Sequence, residues 1–303
     1  MNIQFRSPLR LSLAGGGTDL PECYLKHGAK LLAVAIETKV YVFIGKQIKH
    51  QPTALNNLFK KYHPELNVFT KSDVSPGAGL GGSGAISVAL VAASEYINTG
   101  TMLSSLDIGL KAYEWERKYL GQPVGFQDQL VSAFGGCIEM TANTKGEIKV
   151  SQRKDLVNGL NSLFLNNFIL VETGIRRDAS KLLSHLAKSY SFSDNSHPAT
   201  VDEIEKAIIA KDGEMFGEIL RMHWLSKCNR LPEASTEEIE HIINIAFAAG
   251  ASGAKAIGAG AGGFILISGK TERKPEIIHI FKKSGYNIFE TSISNIGVEK
   301  VLP

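Results

Sequence analysis

Cysteine is scarce in this 303-residue chain: Cys23, Cys137 and Cys228 are its three, and none stands in a CxxC or Cys/His ligand spacing. That argues against a disulfide framework and against a zinc site of the usual pattern. Long apolar runs are missing as well. The longest uncharged apolar stretch, roughly Gly84 to Ser94, is far short of the ~20 residues that span a bilayer. The opening MNIQFRSPLR lacks the apolar core of a signal peptide. Nor is there an excess of one charge: 33 Lys and Arg against 30 Asp and Glu give a net +3, which offers no global basic surface for nucleic acid. Hydrophobic residues at 44% and charged residues at 21% suffice for a buried core and exclude a disordered chain. The expectation is a globular, cytoplasmic protein of about two domains, with neither membrane nor nucleic acid as partner.

Glycine, by contrast, is plentiful. The chain has 30, about a tenth of its residues where ~7% is average. Many gather at Gly15-Gly16-Gly17, at Gly77 to Gly84 and at Gly250 to Gly263. Glycine clustered between apolar runs marks loops whose backbone must approach something closely.

IQFRSPLRLSLA and LLAVAIETKVYVFIGK predict two strands, being β-branched, aromatic and partly alternating. AGGGTDLPECYLKHGA between them reads as turn-rich, and Gln47 to Thr70 as polar and irregular. SGAISVALVAASEYIN predicts a buried helix closing near Gly100, and Leu103 to Leu120 a second helix stopped by Gly121 and Pro123. A short helix over Phe126 to Phe134 precedes a hairpin-like Asn143 to Gln152. Phe164 to Glu172 reads as a strand, then helices follow near 179–189, 201–211, 213–227 and 236–249, with a loop over 191–199. Ser235 or Thr236 is the N-cap of the last of these. FILISG, PEIIHIFKKSG and YNIFETSIS then read as strand, helix and strand, which gives an α+β order with a boundary near 150 to 162.

The middle glycine cluster runs straight into a predicted helix. Such a junction offers unpaired backbone N–H groups and the positive end of the helix dipole to an anion. Gly79-x-Gly81-x-x-Gly84 matches the dinucleotide fingerprint GxGxxG, yet Lys71-Ser72-Asp73 stands where the preceding strand should be. No GxxxxGK[ST] loop and no protein-kinase HRD or DFG element is present. The third cluster precedes a strand rather than following one, so it fits close packing as well as a ligand. Asp19 and Asp128 each sit where a turn or cap aspartate is equally at home, and Glu114 and Glu116 fall on a helix whose carboxylates are ordinarily solvated. Arg176-Arg177 with Lys181 suits a phosphate or a solvated charge run. His185, His197 and His223 show no ligand spacing and are assigned to surface or packing.

Together, RSPLRLSLAGGGTDLP, SPGAGLGGSGAISVAL, ERKYLGQPVGFQDQ and GAKAIGAGAGGF, running in that order from residue 6 to residue 264, resemble the signature motifs of the GHMP small-molecule kinases. AGGGTD, GFQDQ and TGIRRDAS are most similar to the D-glycero-α-D-manno-heptose 7-phosphate kinase branch. The resemblance implies a ribosomal-S5-like N-terminal domain over 1–155 and a ferredoxin-like C-terminal domain over 156–303, with the active site in the cleft between them. It implies ATP and Mg²⁺ as cofactors and a small-molecule sugar phosphate as substrate. The product would be the 1,7-bisphosphate, a precursor of nucleotide-activated heptose for surface polysaccharide. The ATP phosphates would be wrapped by Pro76, Gly77, Gly79, Leu80, Gly81, Gly82, Ser83 and Gly84, with Ser83 and Glu116 holding Mg²⁺. Asp128 would accept the proton of the attacking hydroxyl beside Arg10. Gly17, Thr18 and Asp19 would bind sugar hydroxyls, and Gly260, within Gly258 to Gly263, would shape the cleft floor. Arg176, Arg177 and Lys181, helped by Lys227, are the expected anchor for the substrate's own phosphate. GLGGSGA departs from the consecutive serines usual in the family, because Gly82 and Gly84 remove hydroxyls beside the phosphates. A kinase for a fucose- or galactose-like sugar and a catalytically silent sugar sensor are the alternatives, and monomer or homodimer stays open.

Overall fold

A computed structural model describes residues 2–176, 182 and 196–301. Two antiparallel sheets organise them. The first is built on a long hairpin, β1 (Asn2–Ala14) against β2 (Ala29–Gly45). β3 (Asn67–Ser72) also pairs with β2, and β4 (Cys137–Ala142) and β5 (Ile148–Gln152) extend the sheet beyond it. The last strand, β10 (Glu299–Val301), returns to pair with β1, so the C-terminal end of the chain closes the N-terminal sheet. The second sheet has the order β7 (Gly253–Ala256), β8 (Phe264–Ser268), β6 (Ile169–Glu172), β9 (Asn287–Phe289). That arrangement of four antiparallel strands, with the first strand in the middle, is the ferredoxin-like order expected of the C-terminal half.

Both sheets are covered on both faces, which explains why their central strands read as unbroken apolar runs. On β2, Leu32, Val34 and Ile36 face one core, while Leu31, Ala33 and Ala35 face another with Phe126, Leu130 and Val131. On the second sheet, Leu170, Phe264 and Leu266 join the same core as Leu9, Leu11 and Leu13 of β1. The alternate residues Ile169, Val171, Ile265 and Ile267 pack against α9 (Glu237–Ala248) and α10 (Lys274–Lys283). The period-2 alternation of these strands therefore separates the inter-sheet core from the outer ones.

The buried helix expected after the middle glycine cluster is α3 (Gly82–Thr99), closed by Gly100. Four elements fall wholly or in part where irregular chain or strand was expected. α1 (Pro21–His27) starts at a proline with Glu22 in its first turn, a favourable N-terminus. α2 (Ala54–Tyr62) is capped by Thr53, whose Oγ1 accepts from the Asn56 amide at 3.2 Å, and buries Leu55, Leu58 and Phe59. α6 (Val157–Asn166) occupies the start of the stretch read as strand and buries Leu160 and Leu163. α7 (Ser196–Ala210) begins inside the expected loop. α8 (Gly213–Arg230) and α9 match expectation, and Thr236 is the cap of α9, accepting from the Ile239 amide at 3.3 Å. The helix proposed near 179–189 lies, apart from Leu182, outside the described residues.

The predicted helix 103–120 breaks in two. α4 (Ser105–Glu114) passes into a π-helical turn, Trp115–Tyr119, closed by Leu120 N–H donating to the Trp115 carbonyl at 3.1 Å. Such wide turns are costly and concentrate at functional sites. Here Glu114 stays exposed and pairs with Lys118 at 2.9 Å, while Glu116 is 1% exposed. No described helix is long and apolar enough to cross a membrane.

Candidate active site

The site assembles where β1, the start of α3 and the start of α5 (Gln127–Phe134) meet. Gly81 precedes α3 in the left-handed conformation, φ +77°, and no side chain caps the helix or places acid in its first turn. The first amides of an 18-residue helix are thus left open to an anion. Arg10, 5% exposed, reaches under this loop. Its Nη1 donates to the Gly79 carbonyl at 2.6 Å and its Nε to Asp128 Oδ1 at 2.7 Å, while its backbone N–H donates to Leu80. Asp128 projects from the first turn of α5 and keeps 32% of its side chain exposed.

Gly84 and Gly82 behave oppositely. A Cβ on Gly84 would stand 2.7 Å from Asp128 Cβ and 3.2 Å from the Asp128 carbonyl carbon and the Gln129 amide nitrogen. A Cβ on Gly82 would meet nothing within 4 Å. The missing hydroxyl at 84 is therefore the consequence of α3 and α5 touching at the backbone of Asp128, whereas position 82 has room.

Ser83 Oγ donates to Glu116 Oε2 at 2.5 Å, and Gln129 Nε2 donates to Glu116 Oε1 at 2.8 Å. Burial pushes the Glu116 carboxyl up to about 7 against the opposing pull of these two hydrogen bonds. Ser83 and Glu116 offer two hard oxygen donors beside an open helix end, which is the donor chemistry Mg²⁺ takes alongside phosphate oxygens and water. Among the described residues no cluster of three His, Cys, Asp or Glu side chains could hold a metal alone, so an ion here would depend on phosphate for the rest of its shell.

Asp19 lies across from Asp128. It is 8% exposed and accepts from the Gly17 amide and from the Gln127 amide, each at 3.2 Å. Burial first, then the neighbouring charge of Asp128, pushes its carboxyl up to about 6. Gln127 also donates to Ser12 Oγ at 2.9 Å, tying β1 to α5. Thr18 faces inward instead: 1% exposed, its hydroxyl donates to the Gly15 carbonyl at 2.8 Å and serves the turn.

The third glycine cluster packs on the first part of the loop. A Cβ on Gly258 would stand 2.6 Å from the Gly79 carbonyl oxygen, and the Phe264 amide donates to Ala78 at 3.2 Å. Gly260 rests instead on Ala234, whose carbonyl accepts from the Ala261 amide at 2.5 Å. Arg176 is exposed and reaches Ser75 at 3.5 Å, in a cavity of about 190 Å³ lined by Pro76, Gly77 and Phe264. Lys227 Nζ donates to the Gly258 carbonyl at 2.6 Å. Arg177 and Lys181 lie outside the described residues.

The sequence matches the GHMP kinases N terminal domain over residues 47–136 and the GHMP kinases C terminal domain over 204–287, together more than half of the chain. The chain belongs to the GHMP kinases. In this family ATP supplies the phosphoryl group. Among curated relatives, the D-glycero-alpha-D-manno-heptose 7-phosphate kinase of Campylobacter jejuni is 29% identical, covering 98% of each chain. The mevalonate kinase of Aeropyrum pernix is 29% identical over 76% of this chain and 69% of its own. The crystal structure of a D-glycero-D-manno-heptose 1-phosphate kinase from Bacteriodes thetaiotaomicron superposes with a TM-score of 0.72 at 22% identity, covering 99% of both chains. That likeness speaks to the fold.

Three side chains of this GHMP kinase site went unread in the sequence: Gln127, Gln129 and Lys255. The two glutamines flank Asp128 directly, and their pattern was visible as GFQDQ, but their partners Asp19, Ser12 and Glu116 come from distant segments. Lys255 was hidden inside a glycine-rich run.

Proposed function

We propose that this kinase transfers the γ-phosphoryl group of ATP, with Mg²⁺, to the anomeric hydroxyl of a heptose 7-phosphate, giving the 1,7-bisphosphate. The observation that carries the chemistry is the Arg10–Asp128 pair, held at 2.7 Å where the open end of α3 receives phosphates. Similarity along nearly the whole chain to the Campylobacter jejuni enzyme supports the choice of sugar.

Phosphoryl transfer asks a protein for positioning and charge neutralisation more than for covalent work. Asp128 accepts a hydrogen bond from the attacking hydroxyl and takes its proton as the bond to phosphorus forms. An anomeric hydroxyl is more acidic than an ordinary alcohol, which lightens that task. Arg10 fixes the carboxylate in place and sets its positive charge between the loop and the acceptor. The α3 amides at Gly82, Ser83 and Gly84 cradle phosphate oxygens. Ser83 and Glu116 would hold Mg²⁺, which would supply charge neutralisation to the phosphates. Asp19 accepts from sugar hydroxyls on the far side of Asp128.

Glu116→Gln should raise the Mg²⁺ concentration for half-maximal rate by about tenfold or more, because one anionic ligand is lost. An unshifted magnesium titration would remove Glu116 from the metal site. Asp19 predicts an acid limb in sugar binding. Its carboxylate form accepts from hydroxyls, and with a value of about 6 it is progressively protonated as pH falls through that value. KM for the sugar should then climb about tenfold per unit below this point, while KM for ATP stays level. A flat sugar KM between pH 7 and 5 would count against Asp19 as a sugar ligand. Release of ADP across sugars offered with and without a terminal phosphate tests the substrate assignment. Turnover confined to the heptose 7-phosphate is expected, and preference for an unphosphorylated sugar would overturn it.

A further inference from the structure

One buried cation has no task in the chemistry above. Lys255, on β7, is 5% exposed, and its ammonium meets the Ser12 carbonyl at 3.1 Å, the Leu13 carbonyl at 3.3 Å and His223 Nδ1 at 3.3 Å. Among the described residues no carboxylate is a partner of this ammonium, and the charge that bears on it is the like charge of Arg10. Burial and then Arg10 pull this amine down to about 7. Buried ammonium groups are ordinarily paired with an anion, since desolvation without a counter-charge is expensive. Leu13 falls in the register shift of β1 between Ser12 and Ala14, which leaves it without a partner residue on β2 and its carbonyl available to the lysine.

α8 supplies the neighbours. His223, Lys227 and Arg230 follow one another at spacings of four and three, and all are half-buried. Those spacings place them along one face of the helix. Lys227 is anchored on Gly258, and a Cβ there would touch Gly79 of the phosphate loop. His223 is anchored by Lys255 at the end of β1. The basic edge of α8 thus runs along the cleft floor from the phosphate loop toward the turn that carries Asp19. Arg10 and Ser12 are two residues apart on one face of β1, roughly 7 Å by strand geometry. That is about the reach of one sugar from its anomeric oxygen to its far end. Arg176, the first of the residues expected to anchor the substrate phosphate, contacts Ser75.

We propose that Lys227, His223 and Lys255 form a phosphomonoester site that takes the substrate's own phosphate, and that the substrate brings the negative charge missing among the described partners of Lys255. The assignment rests on the sugar-phosphate reading above and gives that substrate its anchor. It gives His223 a role beyond the surface or packing expected of it.

The test compares kcat/KM for heptose 7-phosphate and for the unphosphorylated heptose, in wild type and in Lys227→Met. Loss of a charge-assisted contact to a phosphate should cut the preference for the phosphorylated sugar by about thirtyfold. The loss should fall on KM for the sugar phosphate, with KM for ATP steady and Lys227→Arg restoring most of the preference. Inorganic phosphate should compete with the sugar phosphate in wild type and compete more weakly in Lys227→Met. Equal losses on both sugars, or no loss on either, would overturn the site while leaving the substrate reading intact. Wild-type preference for the unphosphorylated heptose would overturn both, and it is seen before any variant is made. Lys255→Met should show the same selective loss; if it fails to fold, Lys227→Met decides.

Discussion

Asp128→Asn should lower kcat by about a thousandfold, within the range for losing a positioned general base, while the Kd for Mg-ATP changes less than about threefold. The two side chains have nearly the same shape, and the amide oxygen can still accept from Arg10 Nε, now at 2.7 Å. What the amide cannot do is take the proton of the attacking hydroxyl. The α3 amides, Ser83 and Glu116, which are proposed to hold the nucleotide and its metal, do not involve the Asp128 side chain in their own hydrogen bonds. Steady-state kinetics with calorimetric nucleotide titration separates the two effects. Near-normal turnover would remove Asp128 from the mechanism, and loss of nucleotide binding would mean that the substitution had disturbed the loop instead.

Gly84→Ala should cost about a hundredfold in kcat, whereas Gly82→Ala should stay within about threefold. Both positions lie in the first turn of α3, where alanine is a better helix former than glycine by about 1 kcal/mol, so helix propensity predicts a gain for each. Space decides the difference. A methyl at 84 presses on Asp128 Cβ at 2.7 Å and on the backbone behind it, while a methyl at 82 meets nothing within 4 Å. Backbone cannot swing aside as a long side chain can, so α5 must move and carry Asp128 with it. Displacements of about 1 Å at a reacting group can cost 10²-fold. Kinetics on both variants, with melting temperatures to confirm folding, reads this directly. Equal behaviour of the two variants would show that α3 and α5 do not hold Asp128 by contact at Gly84.

Much of the site was legible because its residues sit in local patterns. A glycine loop opening into an apolar helix marks an anion site by its backbone alone, and the structure leaves the α3 terminus uncapped as that pattern requires. The strands of the β1–β2 hairpin and of β8 were plain from their apolar runs. α1, α2 and α6 were missed for a common reason: they are short, and Pro21, Pro52 and the Asn-rich 158–167 stretch drew attention to their breakers. Their i, i+3, i+4 apolar spacing, as in Leu55, Leu58 and Phe59, was nonetheless present. Glu116 could not be told from Glu114 by helical pattern, because a π-helical turn separates their fates. Lys255 was beyond sequence reasoning altogether, since its partners are carbonyls at Ser12 and Leu13, more than 240 residues away. Arg176 shows the converse. Its local charge pattern suggested a substrate anchor, and its contact with Ser75 places it at the start of the glycine loop.

The measurement that bears most directly on the central claim is the ³¹P NMR spectrum of the product formed from Mg-ATP and heptose 7-phosphate. The account predicts a bisphosphate with the terminal phosphate retained and a new phosphate coupled to the anomeric proton, formed about a thousandfold more slowly when Asp128→Asn replaces wild type. A new phosphate on any non-anomeric hydroxyl, or inorganic phosphate with the sugar returned unchanged, would contradict it.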